Sequence, residues 1–216
     1  NLVDQRIYYF PADGGPAESY PIGTGRAAWD TPTGTTSIIR KKRNPSWYVP
    51  KSIREEQPEL PKVVGPGPQN PPGKFAMYLG WPSYLIHGTN NPWGVGRRVS
   101  HGCIRLYPED IKQLFPRVPV NTRVTVVNQE VKTGRVNGEL MLEVHPSPDQ
   151  ADEIEAKGEF TPANISELAY RIVTAAGKQA GLIDWPSVRR AAGERRGVPV
   201  RVLKPKARVE AAASND

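Results

Sequence analysis

Cys103 is the only cysteine in the 216-residue chain, and it stands two positions after His101 and sixteen after His87. A lone thiol forms no disulfide within its own chain, so it is packing, an intermolecular link or a reagent. A free cysteine is mostly protonated at neutral pH, and its use as a nucleophile needs a base or a positive charge beside it. His87, His101, Arg98 and Arg105 are the residues nearby that supply both. His101 and Cys103 share a face of an extended backbone, but their Cβ atoms then lie about 6.5 to 7 Å apart, long for a direct hydrogen bond. A residue on a neighbouring strand brings its Cβ within about 4.5 to 5.5 Å, so His87 is the expected base. No acid lies within eighteen residues on its C-terminal side, which leaves a backbone carbonyl, that of Gly88, to fix the imidazole tautomer.

Gly102 lets a substrate carbonyl approach the backbone, and the amides of Gly102 and Cys103 are the expected oxyanion donors. Arg105 offers a forked cation for a substrate carboxylate. The set reads as acyl transfer through a thioester. Zinc is the rival for a Cys-His-His cluster, but the His-x-Cys pair lacks the usual ligand spacing, and neither metal nor cofactor is expected. His145, followed by Pro146 in a different segment, reads as a surface or packing histidine.

The elements that must hold these residues read as short strands between Gly and Pro punctuation, over 5–10, 19–22, 36–41, 74–79, 84–87 and 123–128. That spacing predicts a sandwich or barrel. Eight prolines between Asn44 and Gly73 exclude a long helix or central strand there, and predict a long loop that walls or covers the site. Pro108 to Phe115 predicts a short helix after the cysteine, with Ile111, Leu114 and Phe115 on one face. Beyond it, a strand over 139–145 follows an Asn-Gly turn, and helical spacing runs from 162 to 180 with Gly181 able to end it. A second helix over 186–196 and a strand over 198–203 precede a basic tail. The expected division is 1–128, a β-rich catalytic domain, and 129–216, an extension of a strand, two helices and the tail.

The net charge of +7 is concentrated late: from Pro186 onward stand eight Lys or Arg against three acids. No zinc-finger, RNP or helix-turn-helix signature accompanies it, so nucleic-acid binding is not expected. No apolar run reaches the roughly 20 residues of a membrane span, and neither a membrane helix nor a signal peptide is expected in this stretch.

HGTNNPWGVGRRVSHGCIRL, from His87 to Leu106, resembles the L,D-transpeptidase catalytic domain, or YkuD domain. TPTGTTSIIRKKRNPSW, NPPGKFAMYLG, PEDIKQLF, EVHPSP and GVPVRVL extend the likeness to the periplasmic ErfK/YbiS/YcfS/YnhG branch of Gram-negative bacteria. The resemblance implies a mainly β fold, a β-barrel-like sandwich with a short helix after the cysteine and a C-terminal helical extension. It implies a periplasmic cysteine enzyme acting on peptidoglycan stem peptides. Cys103 would release D-alanine from a tetrapeptide stem and pass the acyl group to an amine. That amine belongs to a second stem peptide, giving a 3→3 cross-link, or to an outer-membrane lipoprotein or β-barrel protein. His87 would carry the proton, oriented by Gly88; His101 would line the site; Arg105 would bind or order the substrate. Ser100, Gly102 and Arg98 complete the expected substrate-binding set. A hydrolase of the same fold and a non-catalytic peptidoglycan-binding module are the alternatives. The LysM module carried by many relatives is not expected in this stretch.

Overall fold

The computed structural model describes residues 1–205, so the end of the expected basic tail lies outside the described residues. The chain forms two compact units, Asn1–Gln129 and one beginning at Glu130.

The first unit contains β1 (Arg6–Tyr9), β2 (Glu18–Pro21), β3 (Thr24–Gly25), β4 (Gly34–Arg43), β5 (Trp47–Tyr48), α1 (Lys51–Glu56) and β6 (Val63–Val64). It continues through β7 (Phe75–Leu79), β8 (Leu85–His87), β9 (Arg98–Ser100), β10 (Ile104–Arg105), α2 (Pro108–Arg117) and β11 (Arg123–Val126). Its main sheet has the order β10-β8-β7-β4-β11, and β1-β2, β3-β9 and β5-β6 form two-stranded pieces. Only β10 lies parallel to its neighbour in the main sheet. The β-rich architecture expected from the strand spacing is present.

Strand alternation divides this sheet into two faces. Ile38, Met77, Ile86 and Ile104 are all at most 4% exposed and pack in one core with Ile111, Leu114 and Phe115 of α2. Pro108 and the acids Glu109 and Asp110 occupy the first turn of α2, where the missing N–H costs nothing and negative charge faces the helix N-terminus. At its other end Lys41 reaches under the sheet to the Phe115 and Val118 carbonyls, capping the helix, with its ammonium 4.4 Å from the Phe115 ring centroid. Burial, and then the nearby Arg43, lower its pKa.

The proline-rich segment contains no long element: β5, α1 and β6 are two, six and two residues long.

The second unit contains β12 (Val131–Val136), β13 (Glu139–Val144), α3 (Pro148–Lys157), α4 (Leu168–Ala176), α5 (Trp185–Glu194) and β14 (Val200–Arg201). β12 and β13 form a hairpin about Asn137-Gly138, both with positive φ, as a two-residue primed turn demands. Leu140, Leu142 and Val144 alternate into a core completed by Ile172, Ala176 and Val188. The structure corrects the helical reading here. The 162–180 helix is confined to α4, because Gly177 at φ 54° breaks the α-helical path and a 3-10 turn, Gly177–Leu182, follows. α3 is an additional helix, started by a capping box in which Ser147 and Gln150 bond reciprocally.

Candidate active site

Pairing places the chemistry on the face of the main sheet opposite α2. Across β4, β7, β8 and β10, Lys42, Ala76, His87 and Arg105 stand in one row. The next row holds Arg40, Tyr78 and Leu85, and one step back from Ile104 along the chain brings Cys103 beside Leu85. The histidine therefore faces Arg105 directly and Cys103 on the diagonal, where same-face neighbours lie about 7 to 8 Å apart at Cα and remain within reach of long side chains. This refines the cross-strand pairing expected from the sequence.

His87, Cys103 and Arg105 line one cavity of about 690 Å³. That volume suits a small-molecule or peptide ligand. Its other walls include Pro45, Trp47, Tyr48, Ile53 and Pro72, so the proline-rich segment is a wall of the cavity, as its length and composition predicted.

His87 is 5% exposed, and its Nδ1 bonds the Gly88 carbonyl. An Nδ1 that donates to this carbonyl leaves Nε2 as the ring's acceptor. Burial, and then the positive charge of Arg105, push the imidazole down to about 4, against the opposing pull of the Gly88 carbonyl. The ring is thus neutral at pH 7. The thiol of Cys103 is half-buried and its bond partner is the Ser83 carbonyl at 3.6 Å rather than the His87 ring. Burial raises its pKa, while the Leu85 amide and Arg105 act the other way. At rest the pair is thiol and imidazole, not thiolate and imidazolium.

Arg105 is fixed by its backbone, which exchanges two hydrogen bonds of 2.9 Å with Gly23 while its strand pairs β8. Its Nε is buried without a partner, so a donor remains for a ligand. Gly88 bonds the His87 ring as the sequence reading expected, whereas Cys103 lies diagonal to His87 and not directly opposite it.

The remaining candidates are tied into the turn before the cysteine. Gly102 has φ 94°, and a Cβ there would meet Tyr84 Cε1 at 2.6 Å, so both backbone and space demand glycine. Its N–H donates to Ser100 Oγ at 3.1 Å and is therefore not a free oxyanion donor. Ser100 is fully buried and its hydroxyl donates to the Cys103 carbonyl at 2.6 Å. Both bonds fix the backbone that carries Cys103. Arg98 pairs with Asp30 at 2.9 Å and does not line the cavity. Of the expected substrate-binding set, Ser100 lines the cavity, while Gly102 and Arg98 shape the loop that carries Cys103.

His101 does line the cavity. Its Nε2 lies 2.9 Å from Glu56 Oε2 and 3.0 Å from an Arg26 nitrogen, and Trp29 meets the ring edge-on with centroids 5.0 Å apart. Glu56, Arg26, Trp29 and Thr31, whose hydroxyl donates to the Gly102 carbonyl at 2.9 Å, were absent from the sequence-derived set. His145, half-buried in the second unit, bonds Glu143 at 2.6 Å.

The L,D-transpeptidase catalytic domain family, YkuD, matches residues 1–126, the whole span that builds this cavity. The chain belongs to that family. It is 45% identical over 151 residues to the probable L,D-transpeptidase ErfK/SrfK of Escherichia coli K12, covering 67% of this chain and 48% of the relative. To the probable L,D-transpeptidase YbiS of the same organism it is 39% identical over 209 residues, covering 94% of this chain and 66% of the relative. The chain spans about half to two thirds of the length of these curated relatives. They place it in the branch that its motifs resemble. A solved Enterococcus faecium L,D-transpeptidase aligns with a TM-score of 0.46 at 24% identity, over 58% of this chain and 47% of that one.

Proposed function

We propose that the protein is a periplasmic L,D-transpeptidase that cleaves peptidoglycan tetrapeptide stems through a Cys103 thioester. The observation that carries this reading is one sheet face holding a tautomer-fixed neutral imidazole, a thiol and a partly unpartnered arginine around one cavity.

His87 Nε2 takes the Cys103 proton as Sγ bonds to the carbonyl carbon of the third stem residue. The resulting imidazolium gives that proton to the nitrogen of the departing D-alanine as the amide bond breaks. A thioester remains. An acceptor amine then loses a proton to His87 while bonding to the same carbon, and the thiol is regenerated by protonation from His87. Gly88 holds the ring in the accepting tautomer throughout. Arg105 binds a substrate carboxylate, and that negative charge offsets one of the two causes that depress His87. The imidazole therefore becomes more basic when substrate is bound.

The acceptor consistent with the family is the side-chain amine of a second stem peptide, giving a 3→3 cross-link. Incubation with purified tetrapeptide muropeptides, followed by mass spectrometry, tests this. D-alanine release with a cross-linked dimer is expected. Tripeptide alone would make the protein a hydrolase, and absence of both turnover and a Cys103 adduct would leave a binding module. Adding a peptide with a C-terminal lysine, as on an outer-membrane lipoprotein, tests the protein-anchoring variant in the same assay.

A further inference from the structure

The cavity holds two cations that the proposed reaction leaves unused. Arg40 and Lys42 line it from β4, on the far side of the sheet from β10. With Arg105 they make three cationic lining residues against no carboxylate among the described residues. The acid nearest in bonding terms, Glu56, is already matched by Arg26. Neither Arg40 nor Lys42 makes a salt bridge among the described residues. The Arg40 guanidinium sits over the Tyr78 ring, its Cζ 3.7 Å from the centroid, a contact that restrains it and leaves its N–H donors for an anion.

Their direction is set by an irregularity in β4. Ile38 pairs with Leu79 and points into the core, so strict alternation would send Arg40 the same way. The register shifts between Ile38 and Arg40, with Ile39 as the extra residue, and Arg40 instead opposes Tyr78 on the cavity face. Lys42 follows it two residues on, while Lys41 takes the core side under α2. Bulges re-aim side chains beside functional sites, and this one delivers two cations to the site.

Strands lie about 4.8 Å apart, so the Cα of Arg40 is about 14 Å from that of Cys103, three strands away. From the third-residue carbonyl at Cys103 to the α-carboxylate of a γ-linked second residue is about seven bonds, about 8 Å when extended, and the long Arg40 side chain covers the remainder. The geometry points to Arg40 and Lys42 as a subsite for a carboxylate of the acyl-donor stem, the free α-carboxylate of the γ-linked D-glutamate at its second position. This assignment rests on the reading of the cavity as a stem-peptide site. It separates the roles of the cations: Arg105 serves the reacting end, and the β4 pair reads the body of the stem.

Equilibrium binding in the Cys103→Ala background tests the subsite without any turnover. The probes are a tetrapeptide stem with D-glutamate and its D-isoglutamine counterpart, whose α-carboxylate is amidated. The Arg40→Gln/Lys42→Gln double variant should bind the carboxylate form about tenfold to hundredfold more weakly and the amidated form no differently. The carboxylate form should also lose affinity with added salt in the parent and much less in the double variant. Equal affinity of the parent for both peptides, equal losses for both in the double variant, or no binding of either would overturn the subsite. Thermal melting of the double variant confirms folding. Failure of the wild-type protein to form a thioester while this charge-dependent binding persists would defeat the transferase reading alone.

Discussion

The two faces of the main sheet are built from the same strands and alternate residues, yet they do opposite work. On one side Ile38, Met77, Ile86 and Ile104 are removed from water beneath α2. On the other, Arg40, Tyr78, His87 and Arg105 line a cavity. The first face supplies the free energy that holds the strands. The second uses that rigidity to keep a buried neutral histidine, which costs stability in acid, next to a thiol and a cation. What separates them is a period of two, reset once by the bulge in β4. A one-residue slip in β8 would exchange His87 for Ile86 and ruin both faces together.

The comparison predicts effects of different kinds. Cys103→Ala should eliminate thioester formation entirely, and His87→Ala should slow acylation about 100-fold to 10,000-fold with little change in melting temperature at pH 7. Single-turnover mass spectrometry measures both. On the opposite face, Leu114→Ala should cost about 2 to 5 kcal/mol of stability while the folded fraction keeps its acylation rate. Denaturant unfolding with parallel rate measurement checks the separation, and a rate loss exceeding the unfolded fraction would break it.

The next effect depends on pH. His87 titrates at about 4 when folded against an ordinary 6.5, so between those values the unfolded chain binds a proton that the folded chain refuses. The charging penalty is absent above pH 6.5 and grows as pH falls toward 4, to at most about 3 kcal/mol. His87→Asn should flatten that part of the stability profile, read from melts between pH 4 and 7. The smallest effect should come from Glu56→Gln. Glu56 and Arg26 are partly exposed, so freeing His101 from their grip should change kcat/KM by no more than about fivefold.

Much of the candidate site was readable in the sequence because His87 and Cys103 stand only sixteen positions apart, at the ends of two neighbouring strands. Residue chemistry and strand spacing alone singled out His87, Gly88, Cys103 and Arg105. That the Gly102 amide and the Arg98 guanidinium are already bonded, to Ser100 and Asp30, was not legible, because residue type does not reveal a partner. Glu56 and Arg26 meet His101 across 45 and 75 positions, and only the folded path of the proline-rich wall brings them there. Arg40 and Lys42 stood in plain view in IIRKKR, but alternation without the bulge assigns Arg40 to the wrong face. In the second unit, polar β12 offered no apolar pattern, although the Asn137-Gly138 turn requires a partner for β13. α3 is similarly polar, and the Ser147-Pro148 start with Gln150 was its only legible signal.

The central claim is that Cys103 is acylated with His87 receiving its proton. Single-turnover acylation by a tetrapeptide stem at pH 7, followed by intact-protein mass spectrometry and peptide mapping, addresses it directly. The account predicts a stem-peptide adduct on Cys103 with D-alanine released, formed at least about 100-fold more slowly in His87→Ala. An adduct elsewhere, no adduct, or an undiminished rate in His87→Ala would contradict it.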